Sequence, residues 1–290
     1  MNWSEFRERE KQVELEGLSD RRLRVAYHDE GEGEGVPVVL LHGIPTWSFL
    51  WREVIPRLSA GRRVIAPDFL GHGYSDRRDR FDRSLAAQVE MILALLDHLG
   101  LEQVDLVGHD TGGGVALILG IKHQNRVRSL VLSNIVCYDS WPIDEMLALG
   151  NPKLRSTPAT EVRAMLFDSL ADGVHRPARL TDEFREGILA PYSDEEGKLS
   201  LIRNAVSLNT NHTMELVDRH SEIAAPTLLL WGAEDPWQTI ADAERLQTEI
   251  PNALLEPVAD ASHWLQQDAP AEVARSLERF LDQVDRADTA

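Results

Sequence analysis

Short apolar runs alternate with helical patterns along most of the chain. Runs typical of strands occupy residues 22–29, 36–41, 63–68, 104–107, 127–135, 227–231 and 253–255. Apolar residues spaced three and four positions apart predict helices over residues 47–58, 85–99, 115–119, 241–250 and 271–284. Strands that alternate with helices are joined by crossover connections, which link parallel strands. The pattern predicts an α/β fold with a mostly parallel central sheet flanked by helices.

The alternation stops between residues 137 and 222. This stretch has no strand-like run, and prolines separate its short amphipathic segments, such as residues 159–170. We expect a helical cap domain over residues 137–222, inserted into a core domain formed by residues 1–136 and 223–290. Since the insertion joins two strands of the sheet, it should lie over the carboxyl ends of the strands, where open α/β sheets bind ligands. There it would act as a lid.

A glycine-rich turn joins the strand at 104–107 to the helix that follows it. Gly108 and Gly112 flank Asp110 at the spacing small-x-nucleophile-x-small. This spacing allows a strand to reverse sharply into a helix with the central side chain exposed. The usual residue at the centre is serine, so a carboxylate changes the chemistry that the turn supports. Asp110 is a candidate nucleophile.

Two polar residues follow Asp110 in the order nucleophile, acid and histidine. Asp235 comes just after the strand at 227–231, and His263 lies in the loop before the last helix. A lone aspartate or histidine is more often a cap or a surface residue. Three such residues at the ends of elements, one of them on a glycine turn, favour a catalytic set. We therefore expect Asp110, Asp235 and His263 to act together.

The charge of the chain excludes some partners. The 290 residues include 48 Asp and Glu but 30 Lys and Arg, a net charge of −18, which argues against nucleic acid and anionic membranes. Such acidity fits both a high-salt habitat and an ordinary acidic cytoplasmic enzyme. We expect a cytoplasmic protein, because the first ten residues are charged and lack the apolar segment of a signal peptide. No apolar run approaches the ~18 residues of a membrane span.

The remaining reactive residue types point to no cofactor. The single cysteine, Cys137, cannot form an intrachain disulfide and is interpreted as a small buried residue. The histidines are scattered without metal-ligand spacing. The run Gly112–Gly114 lacks the lysine and the serine or threonine of a phosphate-binding loop. We expect neither a metal nor a cofactor, and the pattern does not indicate an oligomeric state.

Four segments together resemble the α/β-hydrolase superfamily, and within it the branch with an aspartate nucleophile. They are the turn at 108–113, the segment His-Gly-Ile-Pro-Thr-Trp at 42–47, the loop at 68–76 and the segment Ser-His-Trp at 262–264. This branch includes haloalkane dehalogenases, epoxide hydrolases and haloacetate dehalogenases. The resemblance covers residues 22–285 apart from the detail of the cap. Its motifs are specific for the fold and less so for the substrate.

The resemblance implies a hydrolysis in two steps. Asp110 would attack a saturated carbon and form an alkyl-enzyme ester, displacing a halide or opening an epoxide. His263, held by Asp235, would then activate a water molecule that hydrolyses the ester at its acyl carbonyl. The backbone N–H groups of Ile44 and Thr111 are the expected donors to the oxyanion of the second step.

Near the candidate nucleophile, this chain differs from both haloalkane dehalogenases and haloacetate dehalogenases. Haloalkane dehalogenases typically carry Trp directly after the nucleophile and often Asn in the His-Gly segment, where this chain has Thr111 and Ile44. Trp141 in the cap or the Thr111 hydroxyl would have to bind the halide instead. Haloacetate dehalogenases hold a carboxylate with arginines near the nucleophile. The stretch from Thr111 to Gly114 has none, which disfavours that activity.

Epoxide hydrolases differ from the other two in needing a proton donor, commonly two tyrosines of the cap. The cap of this chain contains only Tyr138 and Tyr192, and Ile202 stands where a tyrosine is expected in a cap helix. His212 is another candidate donor in the cap. One tyrosine would have to suffice for an epoxide substrate.

The overall resemblance favours haloalkane dehalogenases. The stretches that look more like them than like epoxide hydrolases are residues 45–52, 69–76 and 265–268. We predict a hydrolase that uses water to cleave carbon–halogen bonds in small apolar organic substrates, with an epoxide hydrolase as the alternative. A non-catalytic ligand-binding member of the fold is a second alternative, which the intact catalytic set disfavours. Four tryptophans are candidates to line an apolar pocket, or equally to pack in the core: Trp47, Trp141, Trp237 and Trp264.

Overall fold

The strands form one eight-stranded sheet. The computed structural model describes residues 1–18, 21–78 and 80–289, with Arg21 described by its backbone only. The strands are β1 (Lys11–Leu18), β2 (Arg21–Glu30), β3 (Val38–Leu41), β4 (Val64–Pro67), β5 (Val104–Asp110), β6 (Val127–Ile135), β7 (Thr227–Gly232) and β8 (Leu254–Val258). Their order across the sheet is β1-β2-β4-β3-β5-β6-β7-β8. The pairs β1–β2 and β2–β4 are antiparallel, and the pairs from β4 to β8 are parallel. The predicted mostly parallel sheet is confirmed.

The helices flank the sheet and connect its parallel strands. They are α1 (Trp3–Glu8), α2 (Ile55–Leu58), α3 (Leu85–His98), α4 (Thr111–Lys122), α5 (Asp144–Ala148), α6 (Ala159–Ser169), α7 (Asp182–Leu189), α8 (Glu195–Val206), α9 (Asn211–Met214), α10 (Ile240–Glu249), α11 (Leu265–Asp268) and α12 (Pro270–Asp288). Short 3₁₀ turns extend or connect several of them. The predicted helices at 85–99, 241–250 and 271–284 agree with α3, α10 and α12 within a few residues at their ends.

The single helix predicted over residues 47–58 is wrong. This stretch forms a 3₁₀ turn at Ser48–Trp51 and the short helix α2, in which Pro56 is the second residue. Proline is tolerated in the first turn of a helix, but in the middle it removes a hydrogen bond and its ring clashes with the preceding turn. A helix that began at residue 47 therefore could not continue through Pro56.

Helix α1 and strand β1 were not predicted. Strand β1 lies at the edge of the sheet, and most of its side chains are exposed. Of its residues, Leu15 and Leu18 are buried. Because an edge strand with one lightly covered face carries few apolar residues, its alternation is too weak to identify from the sequence.

Apolar side chains cover both faces of the sheet. Along β3, Val38 and Leu40 pack into one apolar cluster, and Val39 and Leu41 pack into another. All four are fully buried. Successive side chains of a strand point to opposite faces, so a continuous apolar run indicates a strand that is covered on both sides, as the sequence predicted for this segment.

The regular structure of the chain between β6 and β7 is helical, as expected. It carries α5 to α9, and strands are absent from all of it, since every residue from 136 to 226 is described. Residues of this segment cover the carboxyl end of β5, where Asp110 lies. The division into a cap at 137–222 and a core stays a prediction. Among the described ranges, no helix has the length and apolarity that crossing a membrane requires.

A hydrogen bond from Trp47 links this helical segment to the loop after β3. Its indole N–H donates a 2.8 Å hydrogen bond to the carbonyl oxygen of Gly187, at the end of α7. The ring is fully buried and stacks on Phe49, with 5.4 Å between the ring centroids. The same carbonyl oxygen also accepts a hydrogen bond from the N–H of Ala190 at the end of α7, so loss of the indole N–H removes one hydrogen bond without leaving the carbonyl unpaired.

Replacing Trp47 by Phe should therefore destabilise the fold more than replacing Trp51 by Phe. Trp51 is a matched control, because it is equally buried but its Nε1 has no hydrogen-bond partner in the described part of the chain. Both substitutions remove a similar volume, so the difference between them reports the hydrogen bond. We expect Trp47→Phe to lower the free energy of unfolding by about 0.5–1.5 kcal/mol more than Trp51→Phe, the net value of one hydrogen bond. Urea unfolding of the two variants measures this difference, and equal losses would contradict it.

Candidate active site

Asp110 lies on a tight turn between β5 and α4. Its backbone has φ 51° and ψ −123°, a conformation that non-glycine residues rarely adopt and that costs of order 1–3 kcal/mol. Neighbouring glycines make the turn possible. A Cβ at Gly108 would lie 2.5 Å from the carbonyl oxygen of Gly112, and one at Gly112 would lie 2.4 Å from that of His42. The structure thus places the candidate nucleophile on the sharp strand-to-helix turn that the glycine spacing predicted.

Backbone donors hold the Asp110 carboxylate. The N–H of Ile44 donates a 2.8 Å hydrogen bond to Oδ1, and the N–H and hydroxyl of Thr111 also donate to the carboxylate. Gly43 permits this approach, because a Cβ there would lie 2.2 Å from Oδ1. Burial raises the pKa of Asp110, although the charge of His263 and these hydrogen bonds oppose that effect.

His263 lies between the two aspartates. Its Nδ1 is 2.9 Å from Oδ2 of Asp235, and its Nε2 is 3.7 Å from Oδ2 of Asp110. The first distance is a hydrogen bond, whereas the second is too long for one. Burial disfavours the imidazolium form, but the charges of Asp235 and Asp110 and the hydrogen bond to Asp235 outweigh it and raise the pKa of His263. The structure brings together all three residues of the predicted catalytic set.

Asn134 supports Asp235, and sequence reasoning missed it. Its Nδ2 donates a 2.6 Å hydrogen bond to Oδ2 of Asp235, and its Oδ1 accepts one of 2.8 Å from the N–H of Gly232. The backbone N–H groups of Trp237 and Gln238 donate to the other carboxylate oxygen of Asp235. Asn134 stands at the end of β6 with φ 43°. A polar residue at the carboxyl end of a buried parallel strand is the same signal that identified Asp110 and Asp235.

The Asp110 carboxylate and the His263 ring face an apolar cavity. Its empty volume is about 580 Å³, part of which is open to solvent. The other residues that line it are Ile44, Pro45, Thr111, Val136, Trp141, Pro142, Ile143, Glu145, Met146, Leu166, Ser169, Leu170, Leu208, Trp237, Gln238 and Trp264. Ten of these sixteen residues lie between β6 and β7, so this segment forms the roof of the cavity. An apolar cavity with a few polar groups at one end is typical of sites for small organic molecules.

Of the four tryptophans that were candidates to line a pocket, three do so. Trp141, Trp237 and Trp264 line the cavity, and the ring centroid of Trp237 is 5.0 Å from that of His263. Trp47 does not line it, because its ring packs in the core and its N–H is bound to Gly187. Trp141 presents its ring to the cavity, but its N–H donates to the Thr213 hydroxyl at 2.8 Å. It therefore cannot serve as the free halide donor that the sequence suggested.

The other proposed cap donors lie away from the cavity. The Tyr138 hydroxyl donates to a carboxylate oxygen of Glu249 at 2.7 Å. Tyr192 is fully buried, and its hydroxyl lies in the electrostatic environment of Asp68 and Arg83. His212 belongs to α9 and is not among the lining residues. These three predicted contacts with substrate are corrected, because none of the three side chains lines the cavity.

The His263 loop is tied to the helical segment through Asp268. One oxygen of this buried carboxylate accepts hydrogen bonds from the N–H groups of Ser262 and His175, and the other accepts one from Arg176. The N–H of Trp264 adds a 2.9 Å hydrogen bond to the carbonyl oxygen of Gly173. The loop that carries His263 and the segment at residues 173–176 are thus one hydrogen-bonded unit.

Metal ligands and reactive thiols do not cluster near this site. Within residues 1–18, 21–78 and 80–289, no group of three or more His, Cys, Asp and Glu side chains is arranged to hold a metal ion. Cys137 is fully buried, and this burial raises the pKa of its thiol. The site consists of a carboxylate, an imidazole, a second carboxylate and backbone donors.

Comparison with known proteins identifies the family to which the chain belongs. A family model described as alpha/beta hydrolase fold matches residues 36–270. The chain therefore belongs to the alpha/beta hydrolase fold family. It is similar to haloalkane dehalogenase 2 from Mycobacterium tuberculosis, with 30% identity over 275 residues that cover 89% of this chain and 92% of that relative. It is also similar to 2-hydroxymuconate semialdehyde hydrolase from Pseudomonas putida, with 33% identity over 280 residues, 90% of this chain and 92% of the relative.

A solved structure gives the same classification. An alpha/beta hydrolase fold protein from Burkholderia ambifaria superposes on this chain with a TM-score of 0.82 at 27% identity, over 91% of this chain and 98% of that one. Together with the named relatives, this shows that the protein is a hydrolase of this fold.

Replacing Asp235 by Asn should lower the pKa of His263. The substitution removes the charge that favours the imidazolium form and leaves the burial that disfavours it. Asp105→Asn is the matched control, because Asp105 is a fully buried carboxylate of the same sheet that binds Arg128 rather than the imidazole. An NMR titration of the His263 ring measures the shift. An unchanged pKa in Asp235→Asn would mean that Asp235 does not set the protonation of His263.

Proposed function

We propose that the protein hydrolyses carbon–halogen bonds through a covalent ester on Asp110. The observation that supports this most directly is the position of the carboxylate. Oδ1 is bound by the N–H of Ile44, while Oδ2 lies 3.7 Å from Nε2 of His263 in an apolar cavity. A carboxylate is a poor catalyst for acyl transfer but an effective nucleophile toward a saturated carbon that bears a good leaving group.

In the first step Oδ2 of Asp110 attacks the carbon that carries the halogen. The new C–O bond forms as the C–X bond breaks, and the halide leaves with the bonding electron pair. No proton is transferred, so this step requires an ionised Asp110. The hydrogen bonds from Ile44 and Thr111 and the charge of His263 favour the ionised form against the effect of burial.

In the second step His263 acts as a general base. Its Nε2 takes a proton from water, and the hydroxide attacks the acyl carbon of the Asp110 ester. Negative charge develops on Oδ1, which the N–H of Ile44 already contacts at 2.8 Å, and the N–H of Thr111 also favours negative charge on this carboxyl group. Asp235 stabilises the imidazolium. As the intermediate collapses and the C–O bond to the leaving group breaks, the imidazolium returns its proton to the leaving alkoxide, and the regenerated Asp110 carboxylic acid then loses its proton to solvent. The sum is RX and H₂O giving ROH, X⁻ and H⁺.

The cavity favours a halide over an epoxide as the reacting group. Opening an epoxide produces an alkoxide that must be protonated, and no tyrosine is among the described residues that line the cavity. Tyr138 is engaged with Glu249, and Tyr192 is buried outside it. A halide leaves as a stable anion without a proton. The 30% identity to haloalkane dehalogenase 2 supports the same choice.

The His263→Gln variant should accumulate the covalent ester. With 1-bromobutane, we expect release of one bromide per chain, a butyl adduct on Asp110 by peptide mass spectrometry, and turnover lowered by about 10²–10⁴-fold because the general base is gone. Asp110→Asn is the control and should release no bromide.

The same experiment with 1,2-epoxybutane distinguishes the alternative. An adduct formed with the epoxide and not with 1-bromobutane would assign an epoxide hydrolase. No adduct with either compound, together with no turnover by the unmodified protein, would refute Asp110 as the nucleophile.

A further inference from the structure

A second, smaller cavity adjoins the first on the other side of Thr111. Its empty volume is about 290 Å³, and Ile44, Thr111 and Leu208 line both cavities. The remaining wall combines apolar and polar side chains: Phe69, His72, Arg83, Leu85, Gln88 and Asn204. A chemical group in this second cavity would lie one side chain away from the Asp110 carboxylate.

Arg83 places a positive charge in the wall of the second cavity. Its exposed fraction is 8%. Nη1 donates to the side-chain oxygens of Ser200 and Asn204 at 2.8 and 2.6 Å, and Nη2 donates to the carbonyl oxygens of Arg77 and Arg78 at 3.1 and 2.9 Å. All four acceptors are neutral. Its Nε is buried and has no hydrogen-bond partner among the described residues.

Arg83 has no direct counterion among the described residues. Burial lowers its pKa to about 10, which leaves the guanidinium protonated at neutral pH. No carboxylate of the described chain forms an ion pair with it, and the nearby Asp76 is paired with Arg78. Buried charges in proteins are normally paired, because a charge removed from water without a counterion is costly.

His72 contributes the second unsatisfied atom of the wall. Its Nε2 is buried without a hydrogen-bond partner in the described structure, while Nδ1 lies 3.3 Å from the carbonyl oxygen of Leu70. The neighbouring Gln88 and Asn204 are engaged, since both ends of each amide form hydrogen bonds within the protein. Since Nδ1 of His72 donates to a carbonyl oxygen, its Nε2 is a hydrogen-bond acceptor, and the unused donor of this wall is the Nε–H of Arg83.

We propose that the second cavity binds the carboxyl group of the substrate, so that the enzyme acts on halogenated carboxylic acids. One carboxylate oxygen accepts the hydrogen bond from Nε of Arg83, and the negative charge compensates the guanidinium. The carbon that bears the halogen then lies in the first cavity at Asp110, with the connecting carbons beside Thr111. This inference rests on the proposed carbon–halogen hydrolysis.

The charge distinguishes a carboxyl group from other occupants. An alkyl group would leave the Nε–H of Arg83 without an acceptor, and a hydroxyl group would supply an acceptor without compensating the charge of Arg83. The sequence alone disfavours such a substrate, because the residues that directly follow Asp110 include no arginine. Arg83 comes from the start of α3, and the fold brings it to the far side of Thr111.

The test compares three bromides of similar size: 4-bromobutyrate, 4-bromobutan-1-ol and 1-bromobutane. In the unmodified protein we expect the highest kcat/KM with 4-bromobutyrate. Arg83→Met should lower kcat/KM for 4-bromobutyrate by about 10–100-fold, the range for a hydrogen bond to a charged group, and leave that for 1-bromobutane nearly unchanged. Arg83→Lys, which keeps the charge, should restore part of the loss.

Arg52→Met is the matched control. Arg52 is another buried arginine, with an exposed fraction of 7%, and its Nη2 donates to Gln267. It lines neither cavity, so its removal should not change the preference among the three bromides. If Arg83→Met lowers kcat/KM equally for all three substrates, Arg83 has a structural or leaving-group role. That result would overturn the carboxylate site.

Binding of butyrate separates this inference from the proposed function. Calorimetry should detect butyrate binding to the unmodified protein and to Arg52→Met, and a loss of at least ten-fold in affinity in Arg83→Met. If butyrate binds in this way but no bromide is hydrolysed, the carboxylate site stands and the proposed function fails. If 1-bromobutane is hydrolysed but butyrate does not bind, the carboxylate site fails.

Discussion

The tight packing of backbone around Asp110 is the constraint on which the rest of the site depends. The residue has a positive φ, and neighbouring glycines allow chain segments to approach more closely than any side chain would permit. This approach lets the N–H of Ile44 reach the carboxylate and fixes where Oδ2 faces His263. The free energy stored in the strained turn is balanced by a core that covers both faces of the sheet.

Much of the fold and the three central side chains can be predicted from the sequence, since both depend on local patterns. Continuous apolar runs identify buried parallel strands, and polar residues just after Val104–Val107 and Thr227–Trp231 identify the edge where ligands bind. Strand β1 was not predicted, because an exposed edge strand carries few apolar residues. The helix over 47–58 was wrong because periodicity alone does not weigh the effect of Pro56.

The cap contacts were harder to predict, because a side chain's type does not reveal its partner. Tyr138 and Trp141 are donors in the right part of the chain, yet Glu249 and Thr213 accept their hydrogen bonds. Arg83, by contrast, was not a predicted site residue, yet it lines a cavity beside the site. It is 27 positions before Asp110 in the sequence, and only the fold shows that its charge is buried on the far side of Thr111. Non-local pairing of this kind leaves no periodic signal.

The hydrogen bonds of Asp268 have a consequence for motion. They join the loop of His263 to residues 173–176 of the helical segment over the cavity. Displacing this part of the roof would break two of the three bonds to the carboxylate or carry the imidazole away from Asp110. The position of the roof at this edge and the position of the His263 ring are therefore coupled through a single carboxylate.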